Sequence, residues 1–136
     1  MPRASAPCHH AVRAAVTAVL NQRLVRRVCA DCRRPVDADE DRLLTIGFSE
    51  AQIARGVTMY ESRGCDSCNE GFRGRVGVFQ LMLMNEEIAE LTTQRPSRDM
   101  LKNAAFAAGM QTLREDGLDK VARGFTTLAE LERALP

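Results

Sequence analysis

Four of the five cysteines form two matched pairs, Cys29-Ala-Asp-Cys32 and Cys65-Asp-Ser-Cys68, with 32 residues between them. Two residues between paired thiolates let both sulfurs of one turn reach the same ion. A second such turn closes a tetrahedron around Zn²⁺. A site of four cysteines leaves no position for water, so its role is structural rather than catalytic. The rival reading is a dithiol redox motif, which a single pair would leave open and two pairs at this spacing disfavour. Arg27, Arg33, Arg34 and Arg63 lie near the pairs in sequence, and their charge favours thiolates. The remaining Cys8, with His9 and His10, has no evident fourth ligand and reads as incidental.

Other chemistry is hard to place on this sequence. A phosphate-binding P-loop needs Gly-x-x-x-x-Gly-Lys-[Ser/Thr]. The only lysines, Lys102 and Lys120, follow Leu101 and Asp119 rather than glycine. Both histidines sit at the start of the chain, so no Ser/His/Asp or Cys/His nucleophile is legible. The paired acids Glu86-Glu87 and Glu115-Asp116 fall in expected first helical turns, where the helix dipole already accounts for them.

A chain of 136 residues fits one ordinary domain or two very small ones. Hydrophobic residues make up 45% but aromatics only 4%, so a core must rest on Leu, Val, Met and Ala. Small cores of this kind are marginal, and a bound metal would add stability. Net charge is +1 but uneven: residues 1–34 carry +6, seven arginines against Asp31, and the remainder −5. The basic third could meet phosphates or simply form a solvated face. No apolar run approaches the ~20 residues of a membrane span, and no signal-peptide core follows the start. A cytoplasmic location is the expectation, and paired cysteines there favour zinc over disulfides.

The elements that must position the cysteines follow from spacing and caps. Residues 1–9 read as disordered. From His10 to about Gln22, Val12, Val16, Val19 and Leu20 recur at helical spacing. Gln22–Val28 could finish that helix or form a short strand. Asp39–Ile46 reads as a short helix ended by Gly47, and Ser49 with Gln52 makes a capping box for another, closed by Gly56. Val57–Glu61 reads as extended. Glycines from Gly71 to Gly77 mark tight turns, and Val76–Met84, nearly all apolar, reads as a strand buried on both faces. Helices then follow, capped at Asn85, Ser97, Thr112 and Thr127.

These residues together resemble a known family. The stretch Asn21–Cys32, the stretch from Gly64 through Gly71-Phe-Arg-Gly-Arg-Val-Gly77, and the stretch Gly109–Glu130 resemble the C-terminal part of the type II secretion and type IV pilus assembly ATPases. The likeness runs from about residue 18, and residues 1–17 match poorly. It implies a hexameric motor on the cytoplasmic side of the bacterial inner membrane, powering assembly of pilin-like fibres. It implies that the tetracysteine lobe binds zinc and projects from a RecA-like core. The second arginine of the Gly71–Gly77 motif, Arg75, matches a residue that contributes to the family's nucleotide site. The Walker A and B motifs of that core are not among these residues.

The expectation is therefore an α+β chain, mostly α. Residues 1–17 form a divergent segment, 18–28 and 74–84 are remnants of the ATPase core, 29–73 the zinc lobe held by Cys29, Cys32, Cys65 and Cys68, and 85–136 a C-terminal helical domain. The expected role is a fragment or split subunit of the motor, without ATP hydrolysis alone. ATP and Mg²⁺ matter only in a complete motor, and partners are motor subunits and inner-membrane platform proteins, peripheral to the membrane. The alternative is a stand-alone zinc-ribbon adaptor binding a partner protein, or nucleic acid through Arg26, Arg27, Arg33, Arg34 and Arg63. With almost no aromatics to stack on bases, nucleic acid is disfavoured.

Overall fold

The computed structural model describes residues 9–135. The expectation of disorder over residues 1–9 lies, with Cys8, outside the described residues except at His9, which opens the first helix instead. Seven helices and four strands are present among those described, an α+β arrangement. In chain order they are α1 (His9–Ala15), β1 (Ala18–Val28), β2 (Arg33–Val36), α2 (Glu40–Ile46), α3 (Glu50–Ala54), β3 (Met59–Ser62), β4 (Phe72–Leu83), α4 (Glu86–Thr93), α5 (Arg98–Ala107), α6 (Leu113–Ala122) and α7 (Leu128–Ala134).

Caps set most helix boundaries. Asp39, Ser49, Asn85, Ser97, Thr112 and Thr127 each turn a side-chain oxygen onto a first-turn backbone N–H, satisfying donors the helix leaves orphaned. Reciprocal capping boxes close at Ser49–Gln52 and Thr112–Glu115. Gly47 ends α2 at φ 112°, a left-handed conformation glycine adopts without strain.

The first helix is shorter than its apolar spacing suggested. It ends at Ala15, and β1 takes over from Ala18. Val19 and Leu20 are about half exposed, so their spacing does not mark a helical core stripe. The run of Val16, Thr17 and Val19 favours extended backbone, and β1 pairs with β4 in a two-stranded sheet. The β4 strand begins at Phe72, earlier than expected, and is not buried on both faces. Val78 is fully buried, but Phe79, Leu81 and Leu83 are 41%, 44% and 62% exposed. The apolar run has the composition of a covered strand, and the described residues leave part of it uncovered.

Contacts gather the chain into two compact units. One comprises the described residues up to Asn21 together with Gln80–Gln111. There α4 packs against both α1 and α5, around Ile88, Ala104 and Ala105, with Met82, Met84, Leu91, Leu101 and Met110 against them.

The other unit comprises Gln22–Phe79 and the residues from Thr112 onward. Its core is Val25, Leu43, Phe48, Met59, Val78, Leu118, Val121 and Leu131. A second two-stranded sheet lies here, β2 antiparallel to β3, with Val36 opposite Met59 and Arg33 opposite Ser62. The α6 and α7 helices pack closely because Gly117 has no side chain: a Cβ at that position would overlap Leu131 Cδ1. Arg114 Nη2 donates to the Ile46 carbonyl at the end of α2, 2.9 Å away.

Candidate metal centre

The two cysteine pairs are presented by two turns of similar build. In the first, β1 delivers Cys29, and the Arg33 N–H returns to the Cys29 carbonyl at 3.0 Å. In the second, the Cys68 N–H returns to the Cys65 carbonyl at 3.2 Å. A tight hairpin follows, in which Asn69 and Phe72 pair around Glu70 and Gly71. Both central residues have positive φ, 49° and 87°, the signature of a type I′ turn. Its Gly71 carbonyl accepts the Cys29 N–H at 2.9 Å and so joins the two turns. Gly71 is required twice over, because a Cβ there would overlap the Ser62 side chain.

This arrangement gathers all four sulfurs within 4.8 Å of one another. Cys29 and Cys65 Sγ are 3.9 Å apart, Cys32 and Cys68 3.8 Å, and Cys65 and Cys68 3.5 Å. A disulfide would hold them at about 2.05 Å. Tetrahedral Zn–S bonds of about 2.3 Å place ligand sulfurs about 3.8 Å apart. The sulfur spacing therefore fits a four-thiolate zinc ion and does not fit disulfides. Cys29 is buried and Cys65 exposed, with the other two between.

Crowding divides the thiols. Burial, then the Cys68 thiol, push the Cys32 pKa up. At Cys65 the Ser67 backbone hydrogen bond pulls down, but the Cys68 thiol, burial and the other two sulfurs outweigh it and push the pKa up to about 12. At Cys68 burial pulls upward, yet the backbone and side chain of Cys65 bring the pKa down overall. Sulfurs this close cannot all ionise unaided, and a divalent cation among them would supply the compensating charge.

Arg75 stands exposed on β4 and is not part of the sulfur cluster. Of the arginines that could face phosphates, three are engaged within the chain. Arg26 bonds Glu130 and lies over the Phe72 ring at 4.1 Å. Arg27 lies over Phe125, and Arg33 over Tyr60 while donating to the Gly124 carbonyl. Arg34 and Arg63 are exposed.

A family model for type II/IV secretion system proteins matches residues 6–133. The chain belongs to that family. The match takes in residues 6–17 as well as the motif-bearing stretches. The chain is 41% identical over 121 residues to the type IV pilus assembly ATPase PilB of Thermus thermophilus, covering 88% of this chain and 14% of that protein. It is 36% identical to PilB of Acinetobacter baylyi, covering 87% of this chain and 21% of the relative. Against the type II secretion system ATPase E of Vibrio cholerae the identity is 34%, covering 85% and 22%. The chain thus spans roughly a fifth or less of the length of these curated relatives. No helix among its described residues is long and apolar enough to cross a membrane.

One group escaped the reading of motifs. Glu130 is 2% exposed. Its Oε1 accepts the Arg26 backbone N–H at 2.9 Å, and its Oε2 accepts Arg26 Nε and Nη2 at 2.9 and 2.8 Å. Arg133 Nε and Nη2 add two further bonds, at 2.9 and 2.7 Å. The Arg133 hydrogen bonds, then those of Arg26, hold the Glu130 pKa down to about 2 against the upward pull of burial. The sequence signal was Thr127 three residues before Glu130, which suggests a capping pair. Thr127 does cap α7, but the Glu130 carboxylate turns to the arginines.

Proposed function

We propose that this chain supplies the zinc-bearing lobe and helical portion of a motor for type II secretion or type IV pilus assembly. The observation that carries this is the gathering of four sulfurs at zinc-ligand spacing in a member of the family. In this reading Cys29, Cys32, Cys65 and Cys68 hold one Zn²⁺ that pins the connector between β1 and β4. Residues 18–28 and 74–84 are strands of the RecA-like core, 29–73 the zinc lobe and 85–136 the helical domain of the complete motor. The exposed Phe79, Leu81 and Leu83 support it, because such side chains need a covering partner. The partners are motor subunits and inner-membrane platform proteins, at the cytoplasmic face of the inner membrane.

A bound zinc would act only as a closed structural centre and would take no part in turnover. Arg75 meets nucleotide only where a P-loop core is present, so these 136 residues do not hydrolyse ATP alone. The nucleic-acid adaptor reading loses ground, since Arg26, Arg27 and Arg33 are committed to intramolecular partners.

The test is metal analysis and ATP turnover on the purified chain. The expected result is one zinc per chain, four thiols protected until a chelator is added, and no turnover above buffer. Zinc far below one per chain with freely titrating thiols overturns the metal site. Measurable turnover overturns the claim that the chain is inactive alone.

A further inference from the structure

The three buried polar side chains among the described residues are Thr126, Thr127 and Glu130. All lie within five residues, at the start of α7, and the segment is fastened to the metal turns at several points. The Thr126 hydroxyl donates to the Arg26 carbonyl at 2.8 Å. The Phe125 carbonyl accepts the Val28 N–H at 3.0 Å, immediately before Cys29. The Gly124 carbonyl accepts Arg33 Nη1 at 2.7 Å, immediately after Cys32. A side chain at Gly124 would crowd that guanidinium, 2.7 Å from a Cβ.

The second turn is reached through Arg26. While Glu130 grips its backbone and guanidinium, the same guanidinium lies over Phe72 and approaches Glu70 at 3.8 Å. Phe72 and Glu70 flank Gly71, whose carbonyl accepts the Cys29 N–H. A backbone bond at Val28 and the Arg33 guanidinium thus fix the two ends of the first turn, and the Arg26 stack braces the second. Groups that orient ligands without touching the metal commonly change its affinity.

We propose that Gly124–Glu130 is a brace for the zinc site, with Glu130 a positioning residue that acts through Arg26. Zinc occupancy and the docking of α7 are then thermodynamically coupled, and each strengthens the other. This rests on the zinc reading above and extends it to residues that are not ligands.

The test measures zinc affinity of the full 136-residue chain by chelator competition. Glu130→Gln removes the charge at nearly constant volume, and Thr126→Val removes only a hydroxyl. Leu118→Ala, in the core of the same unit, serves as a destabilised control. Glu130→Gln is expected to weaken zinc about ten- to a hundredfold, Thr126→Val severalfold, and Leu118→Ala about threefold at most, at temperatures where each is folded. In the wild type, removing zinc is expected to speed amide exchange at Arg26, Val28 and α7. Affinity within about threefold of wild type for Glu130→Gln overturns the proposal. If Glu130→Gln does not fold, Thr126→Val decides, and an unchanged affinity or a loss no larger than that of Leu118→Ala overturns it. If the wild type binds no zinc, the metal reading itself fails, an outcome distinct from zinc bound equally well by the variants.

Discussion

Gly117 stands inside α6, where a glycine ordinarily weakens a helix. Replacing an interior helical glycine with alanine gains about 1 kcal/mol from backbone entropy and propensity. Packing here opposes that gain. The new Cβ would overlap Leu131 Cδ1, with Cδ2 at 3.0 Å and Cγ at 3.2 Å. Leu131 is fully buried in the core of its unit and cannot swing into solvent. Forcing an extra carbon into such a core costs about 1–3 kcal/mol, so Gly117→Ala should be neutral to destabilising by up to about 2 kcal/mol. Leu131→Val makes room, at a cost of its own. The double variant should therefore be more stable than the two single changes predict, with a coupling of about 1 kcal/mol or more. Urea unfolding of the zinc-loaded chain, with all four proteins compared at one pH, measures this cycle. A Gly117→Ala variant about 1 kcal/mol more stable than wild type, or additive single changes, would refute the packing argument.

Two further outcomes are expected. The Glu130 pKa is held down to about 2, so its stabilisation is complete above the unfolded value near 4.5 and is lost as pH falls toward 2. Screening at the half-exposed arginines leaves this worth about 2 kcal/mol. The urea-midpoint gap between wild type and Glu130→Gln should be equal at pH 7 and pH 5, and a gap that closes across that interval contradicts the assignment. Glu70 occupies a left-handed position in the type I′ turn, where asparagine before glycine is preferred. Glu70→Asn should raise stability by about 0.5–1 kcal/mol, because its 3.8 Å ion pair to Arg26 is largely exposed and worth little. A lower thermal midpoint would contradict it.

The sequence revealed what is local. Asp39, Ser49, Asn85, Ser97, Thr112 and Thr127 announced helix starts because a cap acts on residues two or three positions away. The cysteine pairs announced their cluster because two-residue spacing is itself the geometry of a metal turn. What escaped is settled by distant partners. The β2 strand contains Pro35 and polar neighbours and exists through its pairing with β3. The β1 strand displaced a helical pattern through its pairing with β4. Glu130 looked like half of a capping box, and only the fold brings it to Arg26.

That separation has a consequence in time. Glu130 follows Arg26 by 104 residues. During synthesis both cysteine turns leave the ribosome well before α7, so the metal turns can close while the face of Arg26 still lacks its anion. A nascent chain paused in that interval carries the Arg26 guanidinium without its buried carboxylate, held only by the Phe72 ring and Glu70. The zinc lobe of such a chain is expected to be cut faster than the same lobe in the finished protein, which limited proteolysis of a chain ending before Thr126 measures.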